Sequence, residues 1–253
     1  MQKDLLREIM SYINLYLRNG LEAALRIVCD YHNPRSIIDI GSGGDNHKRF
    51  FSFFCEQVFT NDFNEDLNNL NFPGDFMEID FGREFSVVYC SNVLEHARNV
   101  GNFIEKLFAI CEDDGIVSII VPRPHLNRLL SGHITTWSTG TLVYNIICAG
   151  FDCSDAQVLD GEYEKGIIVR KKPIRDLSFV RRSGVVGSVN NLAKFFPWKG
   201  IRHRGPGLLP SIRWPEQYNL PKTGKFDKLG LSYISGITYL VDDGGTIVIP
   251  QPH

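Results

Sequence analysis

The sequence has no long apolar run. Its longest candidate extends only from Ile116 to Val121, whereas a helix that crosses a bilayer needs roughly 18 or more apolar residues. The first residues are charged and amphipathic and do not follow the pattern of a secretory signal peptide. These two absences argue against a membrane-spanning helix and predict a soluble protein of the cytoplasm.

Paired cysteines are also absent. None of the six cysteines belongs to a Cys-x-x-Cys pair, and all six have apolar neighbours, which predicts buried thiols rather than a zinc site or a disulfide framework. They are Cys29, Cys55, Cys90, Cys111, Cys148 and Cys153. The chain shows no internal repeat, no low-complexity tract and no recognised RNA-binding motif.

The composition is that of a protein able to bury a full core, with 43% hydrophobic and 22% charged residues in a chain of 253. Its charge is unevenly distributed. Residues 174–253 contain 11 lysines and arginines against five acidic residues, and seven of the 12 prolines. We therefore expect three parts: N-terminal helices at 1–35, a domain at 36–173, and a basic extension rich in proline and glycine at 174–253.

Apolar residues recur at helical spacing in two groups before the first predicted strand. These are Leu5, Leu6, Ile9, Ile13, Tyr16 and Leu17, followed by Leu21, Ala24, Leu25 and Val28. Strands and helices then alternate, which is the pattern of βαβ units. The strands are predicted at 36–40, 57–61, about 71–76, 85–90, 115–121, about 152–159 and 165–171, and the helices at 46–55, 100–111 and 139–149.

The predicted strands at 85–90 and 115–121 are nearly continuous apolar runs, as expected for strands covered on both faces. The predicted fold class is therefore α/β, with a doubly wound, mostly parallel sheet. In the extension, β-rich runs at 237–241 and 246–249 flank the turn-forming residues 242–245, which predicts a terminal hairpin.

The first predicted strand ends in a glycine-rich turn, Asp39-Ile40-Gly41-Ser42-Gly43-Gly44-Asp45. Glycine permits positive φ angles and close approach to a ligand, and open α/β sheets bind ligands beyond the carboxyl ends of their strands. This turn predicts a small-molecule pocket. A dinucleotide fingerprint would need Gly-x-Gly-x-x-Gly, and position 46 is asparagine, so that fingerprint fails.

Residues 35–171 resemble a class I S-adenosylmethionine-dependent methyltransferase of the group with a Leu-Glu-His motif after the fourth strand. The resemblance is carried by the glycine-rich turn, by Asp62 at the end of the second strand, by Gly74-Asp75-Phe76, and by the segment from Phe85 to Leu94-Glu95-His96. It implies a Rossmann-like seven-stranded sheet and S-adenosylmethionine as cofactor.

The same resemblance implies roles for individual residues. Asp39, Gly41 and Gly43 would frame the amino-acid end of the cofactor, and Asp62 would accept hydrogen bonds from the two ribose hydroxyls. Near the ribose and adenine, the candidates are Phe63 for a pocket wall, Asp75 or the competing Asp80 for the adenine amino group, and Phe76 or Phe81 for packing on the ring. Ser91 and Asn92 would hold the methionine portion.

Two residues depart from the family pattern. Asp45 occupies the place of the last glycine, where its carboxylate would either cap the next helix or repel the cofactor carboxylate; we expect the cap, since aspartate favours helix N-termini. Ser86 replaces an acidic residue near the start of the fourth strand, which does not affect the pocket.

Methyl transfer to a hydroxyl group needs a base but no metal, and imidazole titrates near neutral pH. The candidate catalytic bases are His96, His125 and His133, of which His133 is preferred, and no metal ligands are assigned. The segments 122–125 and 131–138 resemble the acceptor side of methyltransferases from polysaccharide and sugar-modifying pathways. Trp137 is predicted either to face a sugar ring or to pack in the core.

The predicted activity is O-methylation of a glycan, a sugar or another small polar acceptor. The basic extension suits an anionic acceptor, or else forms a solvated surface or a subunit interface. Its positive residues alternate with aromatic ones, but the missing RNA-binding motif disfavours nucleic acid. Two alternatives stay open at this point: a non-catalytic binding or scaffold protein on a methyltransferase fold, and an RNA methyltransferase.

Overall fold

A computed structural model describes residues 20–31, 34–124, 129–161, 163–176 and 192–198, and the backbone of 217–219, 231–234, 237–242 and 245–249. Seven strands form the main sheet. They are β1 (Ile37–Ile40), β2 (Val58–Asp62), β3 (Phe72–Pro73), β4 (Phe85–Ser91), β5 (Cys111–Pro122), β6 (Gln157–Asp160) and β7 (Glu164–Arg170).

The strand order is β3-β2-β1-β4-β5-β7-β6. The first five strands pair in parallel, whereas β7 runs antiparallel to both β5 and β6. The chain therefore starts in the middle of the sheet, builds one half, and crosses over to build the other. This confirms the predicted seven-stranded, mostly parallel, doubly wound sheet.

Four α-helices connect or cover these strands within the described residues: α1 (Leu21–Asp30), α2 (Asn46–Ser52), α3 (Val100–Ala109) and α4 (Thr139–Cys148). A 3₁₀ turn at Leu94–His96 follows β4. Side-chain caps begin two of the helices. Asn99 accepts a hydrogen bond from the N–H of Asn102 at the start of α3, and Ser138 and Thr141 form a capping box at the start of α4.

Alternate residues of the central strands bury their side chains in two apolar layers, one on each face of the sheet. Ile37 and Val87 contribute to the layer that includes α1 and α2. Ile38 and Val88, one residue further along each strand, contribute to the layer that includes α3 and α4. Coverage on both faces explains why these strands contain continuous apolar runs instead of an alternating pattern.

Three predicted elements are shorter than expected by three or more residues, and local hydrogen bonds explain two of them. The strand predicted at about 71–76 contains only Phe72–Pro73, because the Asp75 carboxylate accepts a hydrogen bond from the N–H of Met77 and starts a turn. The strand predicted at about 152–159 begins at Gln157, because the N–H of Ala156 bonds to the carbonyl of Cys153 in another turn. The helix predicted at 46–55 ends at Ser52.

Part of the predicted extension packs against the main sheet. Leu192, Phe196 and Trp198 are buried in the same apolar layer as α3 and α4, and the carbonyl of Phe195 accepts a hydrogen bond from the N–H of Cys153. Further along, β8 (Gln217–Asn219), β9 (Leu231–Ile234), β10 (Ile237–Asp242) and β11 (Gly245–Ile249) form a second, antiparallel sheet. β10 and β11 pair from Thr238 opposite Ile249 to Asp242 opposite Gly245.

The predicted helix at residues 5–17 and the basic residues from Arg181 to Arg213, apart from Lys194, lie outside the described residues. Within the described part of the chain, none of the helices has the length and apolar content that a bilayer crossing requires.

Gly115 on β5 offers a test of this packing. An added Cβ at Gly115 would lie 2.8 Å from the carbonyl oxygen of Glu112 and 3.0 Å from that of Ser86, and backbone atoms in a sheet cannot move aside easily. We expect Gly115→Ala to lower the free energy of unfolding by about 1 to 3 kcal/mol, measured by urea denaturation.

The matched control is Gly101→Ala near the start of α3, where the nearest atom to an added Cβ is 3.9 Å away. Alanine favours helix over glycine, so this variant should be unchanged or more stable by up to about 1 kcal/mol. Equal effects of the two substitutions would contradict the tight packing at Gly115.

Candidate active site

Three strands of the main sheet bring polar residues to one edge. Asp39 lies near the carboxyl end of β1, Asp62 ends β2 and Ser91 ends β4. Because β1 pairs in parallel with both β2 and β4, these three residues lie on neighbouring strands at the same end of the sheet. The sequence separates them widely, and the strand order brings them together.

The glycine-rich turn follows β1 at this edge. The backbone N–H groups of Gly41 and Ser42 both bond to the carbonyl of Asn61, which fixes the turn against β2. Gly41 has a φ of 66°, and an added Cβ would lie 2.2 Å from the Val93 side chain. At Gly43 and Gly44, in contrast, no described atom lies within 4 Å of an added Cβ. Gly41 therefore serves close packing, while the next two glycines border open space.

The Asp62 carboxylate links this turn to β2. Its Oδ2 accepts a hydrogen bond of 2.8 Å from the N–H of Gly43, and its Oδ1 accepts one of 2.9 Å from the N–H of Asn64. A carboxylate oxygen can accept more than one hydrogen bond, so both oxygens retain acceptor capacity. Phe63, the next residue, has an exposed side chain.

Asp39 is buried next to Asp62. Burial raises the pKa of Asp39 well above its usual range, and the negative charge of Asp62 raises this pKa further. Its Oδ2 makes no hydrogen bond within the described part of the chain, and the Nδ1 atom of His47 lies 3.7 Å from it. A buried carboxyl group with an unsatisfied oxygen suits a ligand that provides a positive charge or a hydrogen-bond donor.

A polar network that sequence reasoning missed connects Asp39 to the start of α1. The hydroxyl of Tyr89 donates to the carbonyl of Gly20 and contacts Nε2 of His47 at 3.3 Å. The Glu164 carboxylate on β7 accepts from the N–H of Gly20 at 2.8 Å. The available sequence signals were Tyr89 inside an apolar strand and Glu164 directly before one.

Gly20 cannot carry a side chain in this network. Its φ is 69°, and an added Cβ would lie 2.0 Å from the Tyr89 hydroxyl. Burial raises the pKa of Glu164, while hydrogen bonds from the backbone of Gly20 and from the Asn92 side chain oppose that rise. The network thus holds the N-terminal end of α1 against the edge where the strands end.

Asn92 follows β4 in the left-handed backbone conformation, with a φ of 56°. Its N–H bonds to the carbonyl of Ile120, and its side-chain amide lies 3.4 Å from Oγ of Ser91. Asparagine tolerates this conformation better than most residues. Asn92 therefore turns the chain away from the sheet at the edge that carries Asp39 and Asp62.

The predicted adenine-side residues divide into exposed carboxylates and buried rings. Asp75 and Asp80 are exposed, and each accepts a hydrogen bond from the N–H two residues later, at Met77 and Gly82. Phe76 and Phe81 are buried in the apolar layer beneath them, and the Phe76 ring lies 4.7 Å from that of Phe103. The two aromatic rings thus serve core packing.

Asp45 is found directly before α2, where a helix cap was predicted. Its backbone carbonyl accepts from the N–H of Arg49, but its side chain makes no capping hydrogen bond. Trp137, for which the sequence left two possibilities, lies in the core, and its indole N–H donates to the hydroxyl of Thr135 at 3.0 Å. Its ring is therefore not available to an acceptor sugar.

Two of the three predicted catalytic histidines meet beyond β4, and the third, His125, lies outside the described residues. The rings of His96 and His133 are edge to face, with centroids 4.9 Å apart. Glu95 is buried beside them, and its Oε1 lies 3.8 Å from Nε2 of His96. Burial also raises the pKa of Glu95. The sequence did not indicate that Glu95 would join the two histidines.

The edge of the sheet has the features that S-adenosylmethionine requires. An open, glycine-lined turn leaves room for a ligand, the unsatisfied Asp39 oxygen suits the cofactor's ammonium group, and the Asp62 carboxylate retains acceptor capacity for hydroxyls. The residues present therefore fit this cofactor.

Comparisons with known proteins agree with this fit. The family model described as "Methyltransferase domain" matches residues 6–152, which is more than half of the chain. A search of curated proteins gave no match.

Several solved structures of methyltransferases share the fold at low sequence identity. A chain from the complex of the Haloferax volcanii Trm112 methyltransferase activator with a methyltransferase has a TM-score of 0.50 and 14% identity, covering 66% of this chain and 94% of that one. CalS10, an amino pentose methyltransferase from Micromonospora echinaspora bound to S-adenosylmethionine, has a TM-score of 0.48 and 12% identity, covering 60% and 90%.

The sugar N-methyltransferase KedS8 from Streptoalloteichus has a TM-score of 0.47 and 12% identity, covering 62% of this chain and 88% of that one. At these identities the likeness concerns the fold. The family match over residues 6–152, together with the edge of the sheet, leads to one conclusion: this chain belongs to the methyltransferase domain family and is an S-adenosylmethionine-dependent methyltransferase.

Proposed function

We propose that this methyltransferase transfers the methyl group to a hydroxyl oxygen of a small polar acceptor, a sugar or a glycan unit. The observation that carries the proposal is the pair of imidazoles from His96 and His133, which follows β4 at the cofactor edge. A hydroxyl is a weak nucleophile that must lose its proton during transfer, and imidazole is the side chain best suited to receive that proton near neutral pH.

The cofactor side of the proposal assigns the polar edge residues. Asp39 would bind the ammonium group and Asp62 the ribose hydroxyls, while Gly41, Gly43, Ser91 and Asn92 would border the amino-acid end. Phe63, whose side chain is exposed, would border the ribose. Asp75 or Asp80 would accept from the adenine amino group, with the backbone at Phe76 next to it.

The bound cofactor supplies a methyl carbon on a sulfonium sulfur, which keeps the electron pair of the breaking carbon–sulfur bond as the new oxygen–carbon bond forms. The chain's own residues must orient the acceptor and take its proton. His96 is prepared for this task, because its Nδ1 lies 2.8 Å from the carbonyl oxygen of Gly132. If Nδ1–H donates to that oxygen, the lone pair remains on Nε2, where it can accept a proton.

The acceptor class follows from the surroundings of the two histidines. Glu95 and the two imidazoles offer polar groups to hydroxyls, while the loop that carries His133 also exposes Leu129 and Ile134. A sugar ring presents hydroxyl edges and apolar C–H faces, so it suits a surface that mixes both kinds of group. The buried Trp137 takes no part in this surface.

Substitution of Asp62 tests the cofactor site. We expect Asp62→Ala to abolish measurable binding of S-adenosylhomocysteine, since it removes the carboxylate that we assign to the ribose hydroxyls and that also anchors Gly43. Isothermal titration calorimetry measures this directly. The matched control is Asp113→Asn on β5, an exposed acidic residue whose replacement should leave the affinity unchanged; unchanged affinity in Asp62→Ala would refute the assignment.

Substitution of Asp39 should have opposite effects on binding and on stability. Asp39→Asn removes a charge-assisted hydrogen bond, so the affinity for S-adenosylhomocysteine should fall about 10- to 100-fold. Because the folded-state pKa of Asp39 is raised, the wild-type protein loses stability as pH rises from the usual carboxyl range towards that raised pKa. The asparagine variant lacks this loss.

Thermal unfolding of the cofactor-free proteins across a range of pH would measure this difference. We expect the Tm of Asp39→Asn, relative to wild type, to increase as pH rises. Parallel curves for the two proteins would mean that the Asp39 carboxyl group titrates alike in the folded and unfolded states.

Substitution of the two histidines tests the proton transfer. His96→Gln and His133→Gln should each lower kcat by about 10²- to 10⁴-fold with unchanged affinity for S-adenosylhomocysteine. His47→Gln is the matched comparison, because His47 contacts Asp39 and Tyr89 instead, and it should weaken cofactor binding. The assay uses labelled S-adenosylmethionine with matched panels of sugars and amino sugars; exclusive methylation of amines would refute hydroxyl transfer.

A further inference from the structure

Three side chains that can bind metals meet beyond the end of β4. The donor atoms of Glu95, His96 and His133 all lie within 4.8 Å of one another, and no other such group of histidine, cysteine and acidic residues occurs in the described part of the chain. Two imidazoles with one carboxylate form the ligand set of many catalytic sites for divalent transition metals. No metal ligands were predicted from the sequence.

The orientation of His96 suits a ligand. Its Nδ1 is 2.8 Å from the carbonyl oxygen of Gly132, and metal-binding histidines commonly donate one ring N–H to such a carbonyl and use the other nitrogen for the metal. Gly132 has a φ of 78°, and an added Cβ would lie 2.9 Å from the same Nδ1 atom. Glycine at this position therefore permits the contact that directs Nε2 of His96 towards Glu95.

The carboxylate of Glu95 has an unsatisfied oxygen. Glu95 is only 1% exposed, and its Oε2 makes no hydrogen bond within the described residues. Its Oε1 lies 3.8 Å from Nε2 of His96, which is too long for a hydrogen bond. A buried carboxylate oxygen without a hydrogen-bond partner is costly, and a bound cation would provide the missing interaction at Oε2.

The backbone holds the third ligand in place. The carbonyl of Glu95 accepts hydrogen bonds from the N–H groups of both Ile134 and Thr135, at 2.9 Å and 3.0 Å. These bonds join the loop that carries His133 to the 3₁₀ turn that carries Glu95 and His96. These backbone hydrogen bonds therefore hold the three donor residues near one another, although His133 is distant from Glu95 and His96 in the sequence.

The distances require only small side-chain adjustments. Ligand atoms bound at about 2.1 Å around a tetrahedral zinc ion lie about 3.4 Å from one another. The donor atoms here lie at most 4.8 Å apart, so rotations of the side chains would bring them to that spacing. Three protein ligands would leave at least one coordination position for another oxygen.

We propose that Glu95, His96 and His133 bind a divalent transition-metal cation, which in turn binds the acceptor hydroxyl. A hydroxyl bound to such a cation loses its proton more easily, because the cation stabilises the negative oxygen. With the cation bound, the two imidazoles would hold the metal instead of accepting the proton, so the proton would pass to solvent. The oxygen would then form its bond to the methyl carbon as the carbon–sulfur electron pair stays on sulfur. The second part of this inference rests on the proposed hydroxyl transfer.

The first test measures binding of Co²⁺ to the full chain after treatment with a chelator. We expect one Co²⁺ ion to bind per chain. Its absorption band in the visible region should have the intensity typical of Co²⁺ in a site of low symmetry. Glu95→Gln and His133→Ala should each weaken this binding at least tenfold, by loss of one ligand. Retained affinity for S-adenosylhomocysteine would show that each variant is folded.

The matched control is His47→Gln. His47 and Asp39 form another pair of a histidine and a carboxylate, with 3.7 Å between Nδ1 and Oδ2, but without a third ligand in the described residues. This variant should bind Co²⁺ like the wild-type protein. Absence of a Co²⁺ spectrum in the wild type, or the same spectrum in Glu95→Gln and His133→Ala, would overturn the metal site.

The second test uses acetohydroxamate, which binds open positions on metals through its oxygens. A change in the Co²⁺ spectrum on its addition would support binding of the acceptor oxygen, and an unchanged spectrum would overturn that part. The two proposals can fail separately. If hydroxyl methylation persists in chelator without bound Co²⁺, the hydroxyl transfer is supported and the cation site is contradicted. If Co²⁺ binds but no hydroxyl is methylated, the cation site is supported and the hydroxyl transfer is contradicted.

Discussion

The parallel pairing of β1 with β2 on one side and β4 on the other is the constraint on which the rest of the structure depends. β1 is buried on both faces, so its polar residue can meet a ligand only where the strand ends. The three strands end together, which brings Asp39, Asp62 and Ser91 to one edge. The glycine-rich turn and the 3₁₀ turn after β4 then provide the two sides of the site.

Sequence patterns predicted the parts of this arrangement that depend on local chemistry. Continuous apolar runs identified β4 and β5, and glycines beside an acidic residue identified the turn after β1. The bounds of β3 and β6 were less accurate, because Asp75 and Cys153 form short turns whose hydrogen bonds depend on the surrounding packing. Trp137 was ambiguous for a similar reason, since only the fold determines whether a large ring is covered.

Contacts between distant residues were beyond the reach of sequence patterns. Gly20, Tyr89 and Glu164 lie on three different elements, and only the position of α1 against β4 and β7 makes them neighbours. The meeting of Glu95 with His133 likewise depends on backbone hydrogen bonds across a loop. The spacing of apolar residues along the chain does not indicate such contacts. The only signals in the sequence were single polar residues within or beside apolar strands.

Two of the buried acidic groups of the site carry an oxygen without a hydrogen-bond partner in the described residues, Oδ2 in Asp39 and Oε2 in Glu95. Packing alone would favour apolar residues at such positions, because isolated buried carboxyl groups destabilise a fold. Asp39 lies at the glycine-rich turn, and Glu95 lies between two imidazoles. A histidine neighbours each acid, yet neither pair is close enough for a hydrogen bond.

The two acids nevertheless differ in their surroundings, and this difference separates their roles. Asp39 faces Asp62 and a turn with open space beside Gly43 and Gly44, so a cationic group of a larger molecule can approach it. The Glu95 carboxylate lies close to the donor atoms of His96 and His133, and the backbone carbonyl of Glu95 accepts hydrogen bonds from the loop that carries His133. Three donor atoms within 4.8 Å of one another suit a single small cation, whereas the open space beside Gly43 and Gly44 suits a larger molecule. The cofactor is therefore assigned to the glycine-rich turn and the cation to the 3₁₀ turn.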